Sequence, residues 1–174
     1  MSARMVKLIA AVLGLLAFPM VQDGAAQEPG RLVAEAAVGW VGFADDGIVS
    51  ESLVGASARW YVSPRLSVGP EVIYINGNNH SHLAVTGDVT FDIVAGVNGS
   101  RPRRVTPFVV IGGGLFSTRE TFVLGRFTAT EGAFTAGGGV RAFVSDSVTV
   151  GVETRVGWEA HLRVNASVGV RLRK

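Results

Sequence analysis

The sequence contains no cysteine. A disulfide scaffold is therefore excluded, as are thiol nucleophiles and cysteine-based zinc sites. Long apolar runs are also scarce. Beyond the first 26 residues the longest is Phe108 to Phe116, FVVIGGGLF, which is short and rich in glycine. A membrane-crossing helix needs about 20 apolar residues, so that part of the chain holds none. Charge of one sign is missing too: the formal net charge is +2, and setting aside Arg4, Lys7 and Asp23 leaves +1. Such a balance gives no argument for a nucleic-acid partner, and none is expected. No phosphate loop, dinucleotide fingerprint or zinc-finger spacing occurs.

What is present is a leader and an alternation. Arg4 and Lys7 precede the apolar stretch Leu8 to Phe18, followed by Pro19 and the small residues Gly24-Ala25-Ala26. This is the layout of a secretory signal peptide, with cleavage expected after Ala26. Residues 1–26 are then leader, and 27–174 form one domain. The hydrophobic fraction of 48% and mean hydropathy of +0.36 are high for an exported chain without a spanning helix. A closed β-barrel resolves the conflict, because strands of period two cross lipid while hydropathy windows miss them.

Leu162 to Lys174 shows the pattern best. Leu162, Val164, Ala166, Val168, Val170 and Leu172 alternate with Arg163, Asn165, Ser167, Gly169, Arg171 and Arg173. The same period predicts eight strands, at about 31–44, 51–62, 66–76, 83–95, 107–123, 127–144, 147–158 and 161–174. Each is long enough to span lipid. Turn chemistry separates them, including Asp45-Asp46-Gly47, Ser63-Pro64-Arg65, Asn76-Gly77-Asn78-Asn79, Asn98-Gly99-Ser100 and Ser145-Asp146-Ser147. The expected fold is all-β: an eight-stranded antiparallel up-and-down transmembrane β-barrel, preceded by a cleaved signal peptide.

Inward fall Glu35, Arg59, Glu71, Asp88, Asp92, Arg141, Glu153, Arg155, Arg163 and Arg171, five acids and five bases. Such a set can pair its charges internally, and eight strands leave a lumen just wide enough for side chains to fill. Arg59 and Glu71 are expected as diagonal neighbours, with Glu35 and Arg171 at similar heights where the barrel closes. Outward, Trp40, Tyr74, Phe116, Phe134 and Trp158 mark one lipid boundary, and Trp60, Phe91 and Phe108 the other, if the chain starts in the periplasm. Val110 and Val140 also point outward in this reading. Residues 45–50, 77–82, 117–130 and 159–160 are then extracellular. The turns at 63–65, 96–106 and 145–146 are periplasmic, and the long middle one carries Arg101, Arg103 and Arg104.

The fifth and sixth strands read as one hairpin about the loop Leu124-Gly125-Arg126. Phe116 then faces Phe134, Val110 faces Val140 and Gly113 faces Gly137. Its surplus length, 118–130, is expected to project outside, where a free sheet edge could take a protein partner. The glycines of this pair are read as giving curvature and close backbone approach. His80-Ser81-His82 is the one cluster resembling a metal site. With no cysteine or nearby acid to complete it, no metal and no cofactor are expected. Ser81 with a histidine and Asp88 makes a strained triad, since adjacent strand residues point to opposite faces.

The chain resembles the small outer-membrane barrels that include the OmpA transmembrane domain and OmpX. Ser167, Gly169 and Leu172 match the family's terminal assembly pattern, whereas Lys174 stands where its final aromatic is usual. The resemblance implies a porin-like barrel in the outer membrane of a Gram-negative-type cell envelope, inserted by the outer-membrane assembly machinery. It implies contact with lipid and lipopolysaccharide, a monomer, and a structural or surface-interaction role without catalysis. The alternatives are a lipid A-modifying enzyme, a narrow pore, and a soluble barrel of lipocalin or avidin type.

Overall fold

The computed structural model describes residues 29–44, 48–77, 80–93, 105–122, 125–145, 147–158 and 161–172. They form β1 (Leu32–Ala44), β2 (Ile48–Tyr61), β3 (Leu66–Asn76), β4 (His80–Asp92), β5 (Val105–Phe122), β6 (Gly125–Phe143), β7 (Val148–Gly157) and β8 (His161–Leu172). Each strand pairs antiparallel with the next, and β8 pairs with β1 to close an up-and-down barrel. Among the described residues no helix is long and apolar enough to cross a membrane. The cleavage site after Ala26, the turn bearing Arg101, Arg103 and Arg104, and Lys174 all lie outside the described residues.

The alternation dictates the two faces. In β8, Leu162, Val164, Val168, Val170 and Leu172 are exposed on the outside, while His161, Arg163, Asn165 and Arg171 are buried in the lumen. The same polarity holds in β2, where Val54 and Trp60 face out and Glu51, Leu53, Arg59 and Tyr61 face in. β1 starts and β8 finishes at one end of the barrel, the terminal end; the β1–β2, β3–β4, β5–β6 and β7–β8 connections lie at the other, the hairpin end. Two turns at the terminal end are built alike. Ser63 Oγ accepts from the amides of Arg65 and Leu66, at 3.3 and 3.0 Å. Ser145 Oγ accepts from those of Ser147 and Val148, at 3.3 and 3.1 Å. A short hydroxyl side chain thus satisfies turn amides that the ladder leaves over.

β5 departs from expectation. The hairpin closes with Phe122 opposite Gly125, so Gly113 faces Phe134 and Phe108 faces Gly139, not Phe116 with Phe134 or Gly113 with Gly137. The slip between expected and observed register is an odd number of residues, which turns one strand's side chains to the opposite face. β6 keeps its expected phase, with Phe134 and Val140 outside; β5 is reversed. Phe108, Val110 and Phe116 are buried in the lumen, and Val109, Ile111 and Leu115 meet lipid instead. Gly139 explains part of this choice. A Cβ there would lie 2.9 Å from Phe108 Cζ, so the ring occupies the space beside a glycine that has no side chain of its own.

β5 and β6 are 18 and 19 residues long, against 10 to 14 in the other strands. β4 supports β5 as far as Glu120, opposite His80. β7 joins β6 only from Thr135, opposite Gly157. The β6 stretch Gly125–Phe134 therefore pairs with β5 on one side and, among the described residues, with no strand on the other.

Candidate functional site in the barrel lumen

All ten charged residues assigned to the interior occupy inward positions, and nine of them, all but Arg171, meet in two clusters. Nearest the terminal end, Tyr61 Oη accepts from Arg59 Nη1 at 2.9 Å and from Arg141 Nη1 at 3.1 Å. Arg141 also reaches Asp92 Oδ1 at 3.1 Å and lies 4.0 Å from the centre of the Phe108 ring. Arg59 donates through Nε to Glu35 Oε2 at 2.6 Å and through Nη2 to Glu35 Oε1. The flat guanidinium fork matches a carboxylate at two points, which fixes its orientation as well as its charge. The expected diagonal partner of Arg59, Glu71, is thus engaged elsewhere. Arg171 sits one step from Glu35 towards the terminal end, opposite Val33, with its guanidinium 4.6 Å from the Phe143 ring.

The second cluster fills the middle. Arg155 reaches Asp88 Oδ2 at 2.6 Å, Glu153 Oε1 at 2.6 Å and Glu71 Oε1 at 3.2 Å. Arg163 reaches Glu71 Oε2 at 2.8 Å and Glu153 Oε1 at 3.3 Å. β3 and β7 are diametrically opposite in the strand order, as are β2 and β6. Arg155 to Glu71 and Arg141 to Tyr61 therefore tie opposite walls together. Glycine makes this possible: a Cβ on Gly137 would lie 2.7 Å from Arg155 Cα and 2.8 Å from its Cγ. A cavity of about 30 Å³ beside Glu35, Ser57, Gly69 and Asn165 has room for about one or two waters.

Towards the hairpin end the lumen turns apolar. Val41, Leu53, Ile73, Ile75 and Phe116 form a buried cluster, with Phe43, Ala84 and Ala133 against it. Above it lie His80 and His82 of β4, together with Glu51 of β2. The sequence offered the two histidines but no nearby acid. Glu51 supplies one from another strand, and the signal for it was parity, since 51 shares the inward phase of Arg59. Ser81 lies between the histidines on the opposite face, so the triad with Asp88 is not assembled. Tyr61 and Phe108 are further lumen residues that the sequence reading missed.

On the outside, Trp40, Tyr74, Phe134 and Trp158 lie towards the hairpin end, and Trp60 and Phe91 towards the terminal end. Phe108 and Phe116 leave the expected girdles because β5 is reversed. Trp40 Nε1 donates to Ser50 Oγ, and Trp158 Nε1 to Glu131 Oε2 at 3.4 Å. The apolar outer band, flanked by aromatics with a polar atom to satisfy, is the surface of a barrel that lives in lipid.

These features define a small transmembrane β-barrel of the outer membrane. The chain belongs to the family described as outer membrane protein beta-barrel domain, whose pattern matches residues 8–173. Solved structures share the fold. The N-terminal barrel of Pseudomonas aeruginosa OprF is 12% identical, covers 84% of this chain and 100% of its own, and superposes with a TM-score of 0.67. Neisserial surface protein A is 14% identical over 82% of this chain and 96% of its own, with a TM-score of 0.66. The attachment invasion locus protein Ail of Yersinia pestis, in complex with the heparin analogue sucrose octasulfate, is 11% identical over 83% and 99%, with a TM-score of 0.62. No curated protein matches the chain.

Proposed function

We propose that the protein is a non-enzymatic outer-membrane barrel with a structural or surface-interaction role, its lumen plugged by paired charges and its β5–β6 ribbon projecting outside the cell. The observation that carries this reading is the consumption of lumen charge across the barrel. Arg141 and Arg155 are spent on groups of the opposite wall, which leaves the hairpin end as the surface open to partners. There the β6 edge from Gly125 to Phe134 offers backbone groups that pair with no second strand among the described residues, to which an extracellular protein could add a strand. Lipopolysaccharide and lipid contact the outer band, and the assembly machinery inserts the chain.

The absence of native cysteine makes single-cysteine labelling a clean test. On intact cells a membrane-impermeant maleimide is expected to label Thr128→Cys and to spare Ser147→Cys until the outer membrane is opened. Labelling of position 147 with sparing of 128 would reverse the orientation and remove the hairpin from the cell surface. In the same cells the mass spectrum of lipid A is expected to stay unchanged on expression; a shifted acyl pattern would instead make the barrel an enzyme.

A further inference from the structure

We propose that Glu51, His80 and His82 form a binding site for one divalent transition-metal ion in the mouth of the barrel, pinning β2 to β4 at the hairpin end. One ligand atom from each residue lies within 4.8 Å of the other two. Two ligands bound at about 2.0–2.2 Å to one ion stand at most about 4.4 Å apart, so small side-chain rotations close the set.

The site is built by the fold. β3 lies between β2 and β4, and the histidines and the carboxylate meet over its end because Gly77 has no side chain. A Cβ there would lie 2.7 Å from His80 Nε2 and 2.9 Å from His80 Cε1, and would collide with Glu51 Oε1. The Glu51 side chain is only 2% exposed, yet among the described residues neither of its oxygens accepts a formed hydrogen bond. What faces it is imidazole nitrogen: His80 Nε2 against Oε1, and His82 Nε2 at 3.9 Å from Oε2. With no formed hydrogen bond, this buried carboxylate depends on the two imidazoles it faces for a charge partner, and a cation between the three groups satisfies all of them directly.

The group behind His82 orients its ring for the same role. His82 Nδ1 is 3.0 Å from Thr118 Oγ1; with Nδ1–H donating to that hydroxyl, Nε2 presents its lone pair towards Glu51, as a metal-binding imidazole requires. Beneath, the Phe43 and Phe116 rings each lie 5.1 Å from the His82 ring, and the apolar cluster closes the lumen below them. Access is from the hairpin end, where His80 is 31% exposed. The chain's third histidine, His161, is turned to the Trp158 carbonyl at 2.6 Å. Two imidazoles and one carboxylate suit zinc, nickel or copper and not magnesium or calcium, and three protein ligands leave a position for water.

The test uses untagged full barrel, refolded in detergent and stripped with chelator, titrated calorimetrically with Zn²⁺ alone, and with Co²⁺ for its visible spectrum. Wild type is expected to bind one equivalent and to give the absorption of a low-coordinate Co²⁺ site. His80→Gln and His82→Gln are expected to weaken binding by about tenfold or more and to lose the spectrum, with Thr118→Val about tenfold weaker. Unheated gel mobility checks that each variant is folded. His80→Gln, at a half-exposed position, carries the test if a buried substitution fails to fold. No binding to wild type, or equal binding to folded wild type and His80→Gln, would overturn the proposal.

Discussion

Arg155→Ala is expected to lower the stability of the folded barrel by about 3–5 kcal/mol, the usual consequence of removing one partner from a buried ion pair. Arg155 is buried and holds three carboxylates, Asp88, Glu71 and Glu153, from three strands. Arg163 still serves Glu71 and Glu153 in the variant. Among the described residues Asp88 keeps the Thr86 hydroxyl, at 2.8 Å, as its side-chain hydrogen-bond partner. One uncompensated carboxylate then remains in the middle of the lumen. Denaturant unfolding of barrels in lipid vesicles measures the loss; a change under about 1 kcal/mol would mean that water already solvates this cluster and that the cross-wall bond carries little.

Ile111→Arg is expected to cost about 2–4 kcal/mol in the same assay, the range for a cation on the lipid face near the bilayer midplane. Ile111 is 63% exposed on the outer surface in the middle of the spanning part of β5. Val105→Arg, at the start of the strand, is expected to cost only about 0–1 kcal/mol because the side chain reaches the interface. This pair tests the face of β5 directly. Were Val110 the lipid-facing neighbour, as the sequence pattern indicated, an arginine at 111 would enter a polar lumen and the depth dependence between 105 and 111 would vanish.

The difference between strands that were legible and those that were not is physical. β8 carries Leu, Val and Ala on one parity and Arg, Asn and Ser on the other, so its two faces meet different solvents and the phase is unambiguous. β5 carries Phe108, Val110 and Phe116 on one parity and Val109, Ile111 and Leu115 on the other. Both faces are apolar, because the lumen on that side is lined by glycine and needs large side chains to fill it. Period two alone cannot orient such a strand, and a three-residue loop in place of the observed Phe122–Gly125 closure inverts it. The eight strands, their order and the inward set of charges follow from local pattern. The partners within that set do not. Arg59 lies diagonal to both Glu35 and Glu71, and which carboxylate it takes depends on side chains arriving from β7 and β8. Glu51 was missed for the same reason, since its meeting with His80 and His82 depends on an empty glycine position, Gly77, just past the end of the strand between them.

The proposed function requires a lumen that side chains close from wall to wall. Single-channel recording of the purified wild-type barrel in planar bilayers tests this most directly. The cross-wall bonds of Arg141 and Arg155, with the apolar layer above them, predict a flat baseline across the voltage range. Reproducible ohmic steps from the wild-type protein would contradict it, because ions could then pass where these side chains are placed.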